Sequence, residues 1–548
     1  MTQTSDVACS SRFAPTLRTL ALLIITCAIA VSVGAQKPTR KQSTARRTVN
    51  ASARAVPRSG SAAARNRLTR TKQRTRLTRP SRSVAPLVPG TAFGLDGLRA
   101  DLGTLAGTSI RNGSWGMMVV SLSHGDTLFS INADVPHVPA STQKVLTSVL
   151  ALNSLGPQYR YHTEVLHTGT MQGGTIDGDL ILRGDGDPTL SARFIGGKPD
   201  AAMDSLAARV VKAGVRVVTG RVIGDASAFE ARSVPEGWHP RILQDAYAGR
   251  VSGLSLNENL VWVTIRPGTR GGAADVVLEP ATAAIALHST VRTVPGRTAR
   301  LKMARNSNGI SVSGTIGTDV FQRSYSYIVE DPASFTTGAF LAALKRNGVT
   351  VGNGFALAKA PANAESVTSW ESAPLETLLT VMNRESVNVI AEHVFRAAAR
   401  GADRHTTGSA VVADTALRSL LERSAGVRAD AVTATDGSGL SQLDRVSPRA
   451  MIQLLGWADK SSWGPLLHAS MPLAGESGTL RNRMKYSTAQ TNLHAKTGTT
   501  NDVVALAGYV TARNGELLAF AMLYNGRDRW RAREAIDAIG ITLANWSR

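Results

Sequence analysis

Cysteine is almost absent from this chain of 548 residues: it has two, Cys9 and Cys27, and both lie within the first 35 residues. Once that segment is removed the protein has no thiol, which excludes disulfides, zinc–thiolate sites and cysteine catalysis. Long apolar runs are also missing, since no segment after residue 35 approaches 18 uninterrupted apolar residues. We therefore expect no membrane-spanning helix in the body of the chain.

The first 35 residues have the features of a secretory signal. Arg12 and Arg18 supply positive charge, residues 20–33 form an uncharged and mostly apolar run, and residues 33–35 (Val-Gly-Ala) resemble a small-residue cleavage site. The apolar run is short for a membrane-spanning helix, which needs about 20 residues. We therefore expect export to the periplasm or cell envelope. The alternative is a signal that stays uncleaved as a membrane anchor.

Acidic residues are missing from residues 37–82, which hold fifteen Lys or Arg and so supply most of the net charge of +22. Large apolar side chains are rare over residues 36–90. Folding of this polybasic arm would bury too little apolar surface to offset the loss of conformational entropy, so the arm is expected to be disordered. Such an arm can hold an enzyme near anionic lipids or envelope polymers. The alternative is a solvated spacer. A nucleic-acid role does not fit, because the arm follows an export signal and has no aromatic residues to stack on bases.

The folded sequence begins near residue 91 and has an α+β pattern, in which helices pack on a central antiparallel sheet beside an all-α lobe. Residues 165–327 differ from their flanks, because they are short β-like runs with glycine-rich turns and one helix near 201–213. We predict a β-rich insertion over 165–327 in a domain formed by 91–164 and 328–548. Periodicity within that domain predicts helices over 95–105, 141–155, 335–346, 375–384, 387–400, 410–422, 448–458 and 530–546, and strands over 116–121, 127–131, 503–512 and 516–524.

The first of three short motifs is Ser141-Thr142-Gln143-Lys144, at the start of a predicted helix. Side chains three residues apart on a helix lie about 5–6 Å apart between Cβ atoms, so Lys144 can reach the Ser141 hydroxyl. Burial at a helix N-terminus disfavours an ammonium group, and a neutral lysine can serve as the base that a serine nucleophile needs. Taken alone the spacing is common, and the plainer interpretation is a helix-capping serine beside a solvated lysine.

The second motif is Ser386-Val387-Asn388, between two predicted helices. A serine hydroxyl can relay a proton to a leaving amine, and an asparagine amide can bind a substrate backbone. By itself the triplet is a weak signal, since polar residues are usual between helices.

The third motif is Lys496-Thr497-Gly498-Thr499, just before the predicted hairpin. A lysine with neighbouring hydroxyls suits an anionic carboxylate, and a glycine on a strand lets another backbone approach closely. We predict that the substrate is that backbone. Read alone, the motif is a turn. The Asn514-Gly515 pair further on is typical of a type I′ hairpin turn.

In this order the three motifs form the signature of serine β-lactamases and penicillin-binding proteins. From residue 94 to the C-terminus the chain resembles the class C low-molecular-mass penicillin-binding proteins, which are D-Ala-D-Ala carboxypeptidases and endopeptidases. The resemblance extends to the residues around the motifs and to the 245 residues that separate Ser141 from Ser386, too many for a class A β-lactamase. The stretches that carry it beyond the motifs are residues 138–140, 182–190, 224–229, 251–259 and 436–441.

The resemblance implies a penicillin-binding transpeptidase fold interrupted by a β-rich insertion of two domains. It further implies that Ser141 is acylated by the penultimate D-Ala of a peptidoglycan stem peptide while Lys144 takes its proton. Ser386 and Lys496 would assist protonation of the departing D-Ala, and Asn388 would hold the substrate amide. β-Lactams would act as inhibitors.

Further roles follow from the same resemblance. Lys496, Thr497 and Thr499 would bind the terminal carboxylate, and the backbone N–H groups of Ser141 and Thr499 would form the oxyanion hole. Asp225, in the insertion, would bind the free amine of the diamino acid in the stem peptide. Val387 departs from the Asp or Asn common at that position, which usually points away from the chemistry.

Other chemistries find no support in the sequence. There is no His-Glu-x-x-His pair and no phosphate-binding loop, and His393, next to Glu392, reads as an ordinary helix residue. We expect no metal and no organic cofactor. Asp436-Gly-Ser-Gly reads as a structural turn near the site, because it does not match a nucleophile elbow. Two alternatives to the peptidase stay open: a β-lactamase, and a non-catalytic wall-binding protein that uses the basic arm.

Overall fold

The computed structural model describes residues 88–90, 93–107, 113–306, 309–401, 403 and 406–548. The predicted signal and nearly all of the polybasic arm lie outside the described residues. Among the residues that are described, no helix is long and apolar enough to cross a membrane.

Helices and strands alternate along the described chain. The helices are α1 (Gly94–Gly107), α2 (Gln143–Leu155), α3 (Ala201–Lys212), α4 (Pro332–Arg346), α5 (Leu375–Arg384), α6 (Asn388–Arg400), α7 (Ala410–Ala425), α8 (Pro448–Asp459), α9 (Gly464–Ser470) and α10 (Arg529–Asn545). The strands are β1 (Gly113–Ser121), β2 (Thr127–Ile131), β3 (His162–His167), β4 (Thr170–Gln172), β5 (Thr175–Asp177), β6 (Leu180–Arg183), β7 (Val217–Val218), β8 (Val222–Asp225), β9 (Leu260–Arg266), β10 (Asp275–Glu279), β11 (Leu287–Val294), β12 (Ala299–Asn306), β13 (Gly309–Gly317), β14 (Arg323–Ile328), β15 (Thr350–Val351), β16 (Phe355–Leu357), β17 (Glu365–Glu371), β18 (Val432–Thr433), β19 (Arg445–Val446), β20 (His494–Thr499), β21 (Val503–Thr511) and β22 (Leu517–Gly526).

A five-stranded antiparallel sheet with the order β2-β1-β22-β21-β20 forms the centre of the fold. Its inner strands are apolar at almost every position because both faces are covered by helices. On β21, Val504 and Leu506 pack in the core that includes α1 and α10. Ala505 and Tyr509 point the other way, into the core built by α2 and α5–α9. This second core is the predicted all-α lobe, and α2 lies inside it with most of its residues buried.

The inserted region extends further than predicted. Strand β17 pairs with β3 in a second five-stranded sheet with the order β16-β8-β6-β3-β17. Helix α4 supplies Phe335 and Phe340 to the core of that region. The insertion therefore runs from β3 to the end of β17 at residue 371, and the boundary predicted at residue 328 was wrong. The sequence places the helix over 335–346 in the flanking domain, because a helical pattern does not say which core the helix covers.

Strands of the insertion share one hydrophobic core, which includes Val165, Val261, Val291 and Ile310 from three different sheets. The helix predicted near 201–213 is present as α3.

In the hairpin between β21 and β22, Gly515 alone within the loop has a left-handed backbone, with φ 88°. Its N–H donates to the Ala512 carbonyl at 2.9 Å. The loop is a three-residue type with a glycine in the left-handed region, and the expected type I′ turn was wrong.

Candidate active site

The first motif is built on a short 3-10 helix, Ala140–Thr142, that leads directly into α2. No side chain caps either helix, so Ser141 is not held in a capping role. Ala140 has a left-handed backbone with φ 47°, a conformation that costs energy for a residue other than glycine. Strain of this kind persists only where the surroundings fix it, and here it precedes the predicted nucleophile.

The Lys144 side chain is fully buried beneath Ser141. Its Nζ lies 3.1 Å from Ser141 Oγ, 2.6 Å from Asn388 Oδ1 and 2.7 Å from the Ser438 carbonyl oxygen. Burial lowers the pKa of Lys144 to about 8, although the carboxylates of Asp436, Glu392 and Asp444 oppose that shift. The amine can therefore be neutral near physiological pH while two acceptors and one hydroxyl hold it in place.

The second and third motifs are also joined by a hydrogen bond between a buried lysine and a serine hydroxyl. Lys496 Nζ donates to Ser386 Oγ at 2.9 Å and to the Thr497 carbonyl at 2.8 Å. Ser386, just before α6, has a left-handed backbone with φ 58°, a second strained position in the site. Lys496 is fully buried, and burial together with the positive charge of Lys144 holds its pKa well below the ordinary value. The two lysines thus stand close enough to influence each other.

The remaining residues of the third motif lie along β20. Thr497 Oγ1 donates to Thr479 Oγ1 at 2.8 Å, and the Thr499 hydroxyl donates to the Gly498 carbonyl at 2.8 Å. A Cβ on Gly498 would lie 2.7 Å from the carbonyl oxygen of Pro139, at the base of the nucleophile turn. The backbone that approaches Gly498 therefore belongs to this chain, whereas the sequence predicted that the substrate fills that space.

A cleft of about 930 Å³ collects these groups. Ser141, Ser386, Asn388 and Thr499 all line it, although they come from separate parts of the chain. One wall is formed by residues 239–247 of the insertion. The ends of the central strands also line the cleft. The charged side chains of the lining are Arg241, Asp502, Arg527 and Arg529.

Asp225 lies elsewhere. It ends β8 and lines a separate cavity of about 510 Å³, together with Phe229 and Lys359. Its side chain is buried, and its two carboxylate oxygens accept the backbone N–H groups of Ser227 and Ala360 at 2.9 and 2.8 Å. The structure therefore does not bring Asp225 to the cleft that contains Ser141, and we leave it out of the substrate site.

Two contributors to the site were missed by the sequence reasoning, and both are backbone carbonyls. The Ser438 carbonyl accepts a hydrogen bond from Lys144, and the Tyr247 carbonyl accepts one from Asn388 Nδ2 at 2.9 Å. Ser438 lies in the turn that begins at Asp436. Asp436 accepts the backbone N–H groups two and three residues on, as an Asx turn does. The turn was visible in the sequence, but its carbonyl partner was not.

The chain is similar to known proteins over most of its length. A family model described as the D-Ala-D-Ala carboxypeptidase 3 (S13) family matches residues 100–546. The chain is 31% identical to a D-alanyl-D-alanine carboxypeptidase of Actinomadura sp. (strain R39), over 84% of this chain and 89% of the relative. It is 26% identical to the D-alanyl-D-alanine carboxypeptidase DacB of Haemophilus influenzae, over 75% and 85%. The crystal structure of penicillin binding protein 4 (dacB) from Haemophilus influenzae superposes with a TM-score of 0.67 at 25% identity, covering 81% of this chain and 98% of that one.

Proposed function

Because the chain belongs to the D-Ala-D-Ala carboxypeptidase 3 (S13) family and has its penicillin-binding α+β fold, we propose that it removes D-Ala from peptidoglycan stem peptides through a serine acyl-enzyme on Ser141. One observation carries the serine mechanism. Ser141 Oγ lies 3.1 Å from a buried lysine amine whose pKa of about 8 lets it accept a proton.

Acylation can be written from the hydrogen bonds around Lys144. A neutral amine has two N–H donors, which go to Asn388 Oδ1 and the Ser438 carbonyl, and one lone pair, which faces Ser141 Oγ. The lone pair takes the hydroxyl proton as the Oγ–C bond forms at the penultimate D-Ala carbonyl. The backbone N–H groups of Ser141 and Thr499 would hold the resulting oxyanion, each contributing about 3–4 kcal/mol.

Departure of the terminal D-Ala requires a proton on its nitrogen. Ser386 Oγ accepts a hydrogen bond from Lys496 Nζ at 2.9 Å, so the Ser386 hydroxyl proton is free to point into the cleft. Ser386 can pass that proton to the amine as the C–N bond breaks, and Lys496 can replace it. Release of the proton held by Lys144 to solvent, and uptake of one by Lys496, return both lysines to their starting states. Water then attacks the acyl carbonyl and gives a proton to neutral Lys144, and Lys144 passes that proton to Ser141 Oγ as the ester bond breaks.

Substrate binding would use the remaining polar groups. The carboxylate of the terminal D-Ala would lie against Lys496, Thr497 and Thr499, and its negative charge would favour the ammonium form of Lys496. Asn388 Nδ2 has two N–H groups; one goes to the Tyr247 carbonyl, and the other can bind the substrate amide. The arginines on the cleft walls suit a substrate that carries further carboxylates.

The same acyl transfer would cleave cross-links. In a cross-linked stem the leaving amine belongs to a second peptide instead of free D-Ala, and the cleft of about 930 Å³ would receive that peptide. We therefore include DD-endopeptidase activity. A β-lactam would acylate Ser141 in place of the substrate and inhibit the enzyme as long as its ester persists.

Fluorescent penicillin tests this function against its alternatives. Stable labelling is expected for a peptidase, rapid turnover for a β-lactamase and no labelling for a non-catalytic wall-binding protein. Ser141→Ala should abolish labelling and D-Ala release without loss of thermal stability. Ser461→Ala, outside the cleft, serves as the control and should label normally. Labelling that survives in Ser141→Ala would remove the basis of the mechanism.

The N-terminal 90 residues would determine where the enzyme acts. The signal-like first 35 residues support export to the periplasm or cell envelope. The fifteen basic residues over 37–82 would then keep the enzyme near anionic lipids or envelope polymers. Deleting residues 37–90 should leave activity on soluble peptides unchanged and reduce binding to isolated walls or to anionic vesicles. Unchanged binding would mean that the arm is only a spacer.

A further inference from the structure

Residues 236–247 of the insertion include one wall of the cleft and are hydrogen-bonded to the domain that carries the three motifs. Both ends of this segment make hydrogen bonds to residues next to the catalytic groups. The bonds are Trp238 Nε1 to Asp436 Oδ2 at 2.7 Å, Ser441 Oγ to the Glu236 carbonyl at 2.8 Å, the Gln442 N–H to the Gly237 carbonyl at 3.1 Å, and Asn388 Nδ2 to the Tyr247 carbonyl at 2.9 Å.

Asp436 connects this segment to Lys144. Its Oδ1 accepts the backbone N–H groups of Ser438 and Gly439, at 2.9 and 2.6 Å. These bonds fix the turn that presents the Ser438 carbonyl to Lys144 Nζ. The other oxygen, Oδ2, accepts the indole N–H of Trp238, and both side chains are buried. A hydrogen-bonded path therefore runs from the inserted region through one carboxylate to the amine beneath the nucleophile.

We propose that Trp238 is a positioning residue for Lys144, acting through Asp436, so that the insertion is part of the catalytic apparatus. The inference rests on the proposed function of Ser141 and Lys144. The indole N–H shares Asp436 Oδ2 with the Ser441 N–H and the Ser438 hydroxyl, helps to orient the carboxylate and offsets part of its negative charge, as a hydrogen bond to a buried carboxylate does. The negative field of Asp436 at Lys144 then depends on the indole N–H of Trp238, which belongs to the insertion.

Three other charged groups also face Lys144: Glu392, Asp444 and Lys496. Glu392, on α6, is paired with Arg396 at 2.8 Å. Asp444 accepts backbone N–H groups of the turn that contains Asp436, and Lys496 faces Lys144 from β20. Loss of the indole donor leaves these groups in place and strengthens the negative field of Asp436 at Lys144. The ammonium form of Lys144 gains stability, and less neutral amine is present at a given pH.

The test uses two substitutions with opposite expected effects. Trp238→Phe keeps an aromatic ring and removes the donor, whereas Asp436→Asn keeps an acceptor and removes the charge. Trp370→Phe is the matched control in the same insertion, because its indole nitrogen is buried and has no hydrogen-bond partner among the described residues. The second-order rate of acylation by fluorescent penicillin is measured from pH 6 to pH 9, per active site that can be labelled.

Trp238→Phe should move the acidic limb of the profile to higher pH. A shift of about one unit makes acylation roughly tenfold slower at pH 7, with recovery toward pH 9. Asp436→Asn should move the limb to lower pH even if its maximum rate falls. Trp370→Phe should match the parent protein.

A Trp238→Phe limb at the parent position, or a rate lowered equally at every pH, would overturn the proposal. So would an Asp436→Asn limb at or above the parent's, and that variant decides alone if Trp238→Phe does not fold. Failure of the parent protein to be labelled would instead refute the proposed function.

Discussion

The pH dependence of acylation follows from the burial of Lys144. With a pKa of about 8 the amine is about one-tenth neutral at pH 7 and about one-hundredth neutral at pH 6. A lysine with the ordinary pKa of 10.5 would be neutral in only about 0.03% of molecules at pH 7. Burial therefore increases the population of the base about 300-fold at pH 7, which corresponds to roughly 3.4 kcal/mol.

The assay is the second-order rate of labelling by fluorescent penicillin between pH 6 and pH 9. We expect the rate to rise about tenfold per pH unit up to pH 7 and to level off above pH 8. Lys144→Arg should remove this limb and almost all of the rate, because a guanidinium does not deprotonate in this range. Lys460→Arg, on the surface, should behave like the parent. A rate that stays flat from pH 6 to pH 8 would refute the role of Lys144 as the base.

Three further predictions concern other parts of the site and fold. Lys496→Ala should slow hydrolysis of substrates with a free terminal carboxylate more than that of amidated analogues, and equal losses would contradict its carboxylate role. Gly439→Ala should destabilise the protein and slow acylation, because its Cβ would meet the Ala140 carbonyl at 1.8 Å. Gly271→Ala is the control for the left-handed backbone itself, which costs about 1–2 kcal/mol, since its Cβ would meet nothing within 4 Å; equal melting temperatures and acylation rates would argue against the clash. Hydrogen bonding to Arg548 lowers the pKa of Glu516 to about 2 from 4.5, so this pair stabilises the fold above pH 4.5 and less as the pH falls toward 2. Glu516→Gln should lower the melting temperature at pH 7, and a deficit that does not shrink between pH 4.5 and pH 2 would contradict this.

The three motifs could be predicted because their chemistry depends on residue type and order. Ser141 and Lys144 are close in sequence, so helix geometry alone places the amine near the hydroxyl. The convergence of Ser386, Asn388 and Lys496 on the same cleft depends on the resemblance, since no local rule brings together residues hundreds of positions apart. The central sheet with its α-lobe was predicted from the α+β order of helices and strands.

The parts that were wrong or missed depend on tertiary contacts. The hydrophobic periodicity of α4 is the same whether the helix packs on the insertion or on the lobe. The end of the insertion at residue 371 therefore could not be predicted from the sequence. Asp225 was assigned from a matching stretch, but its carboxylate is used by backbone N–H groups. The carbonyls of Ser438 and Tyr247 act through backbone atoms that any residue possesses, so no pattern of side chains marks them.

The mass of the acylated protein shows directly whether Ser141 is the nucleophile. After brief reaction with benzylpenicillin, digestion and mass spectrometry should find one acyl adduct, on the peptide that contains Ser141. The adduct should be absent in Ser141→Ala and present in Ser386→Ala at a reduced rate. An adduct on Ser386 or Ser438, or none on the parent protein, would contradict the central claim that Ser141 is the nucleophile.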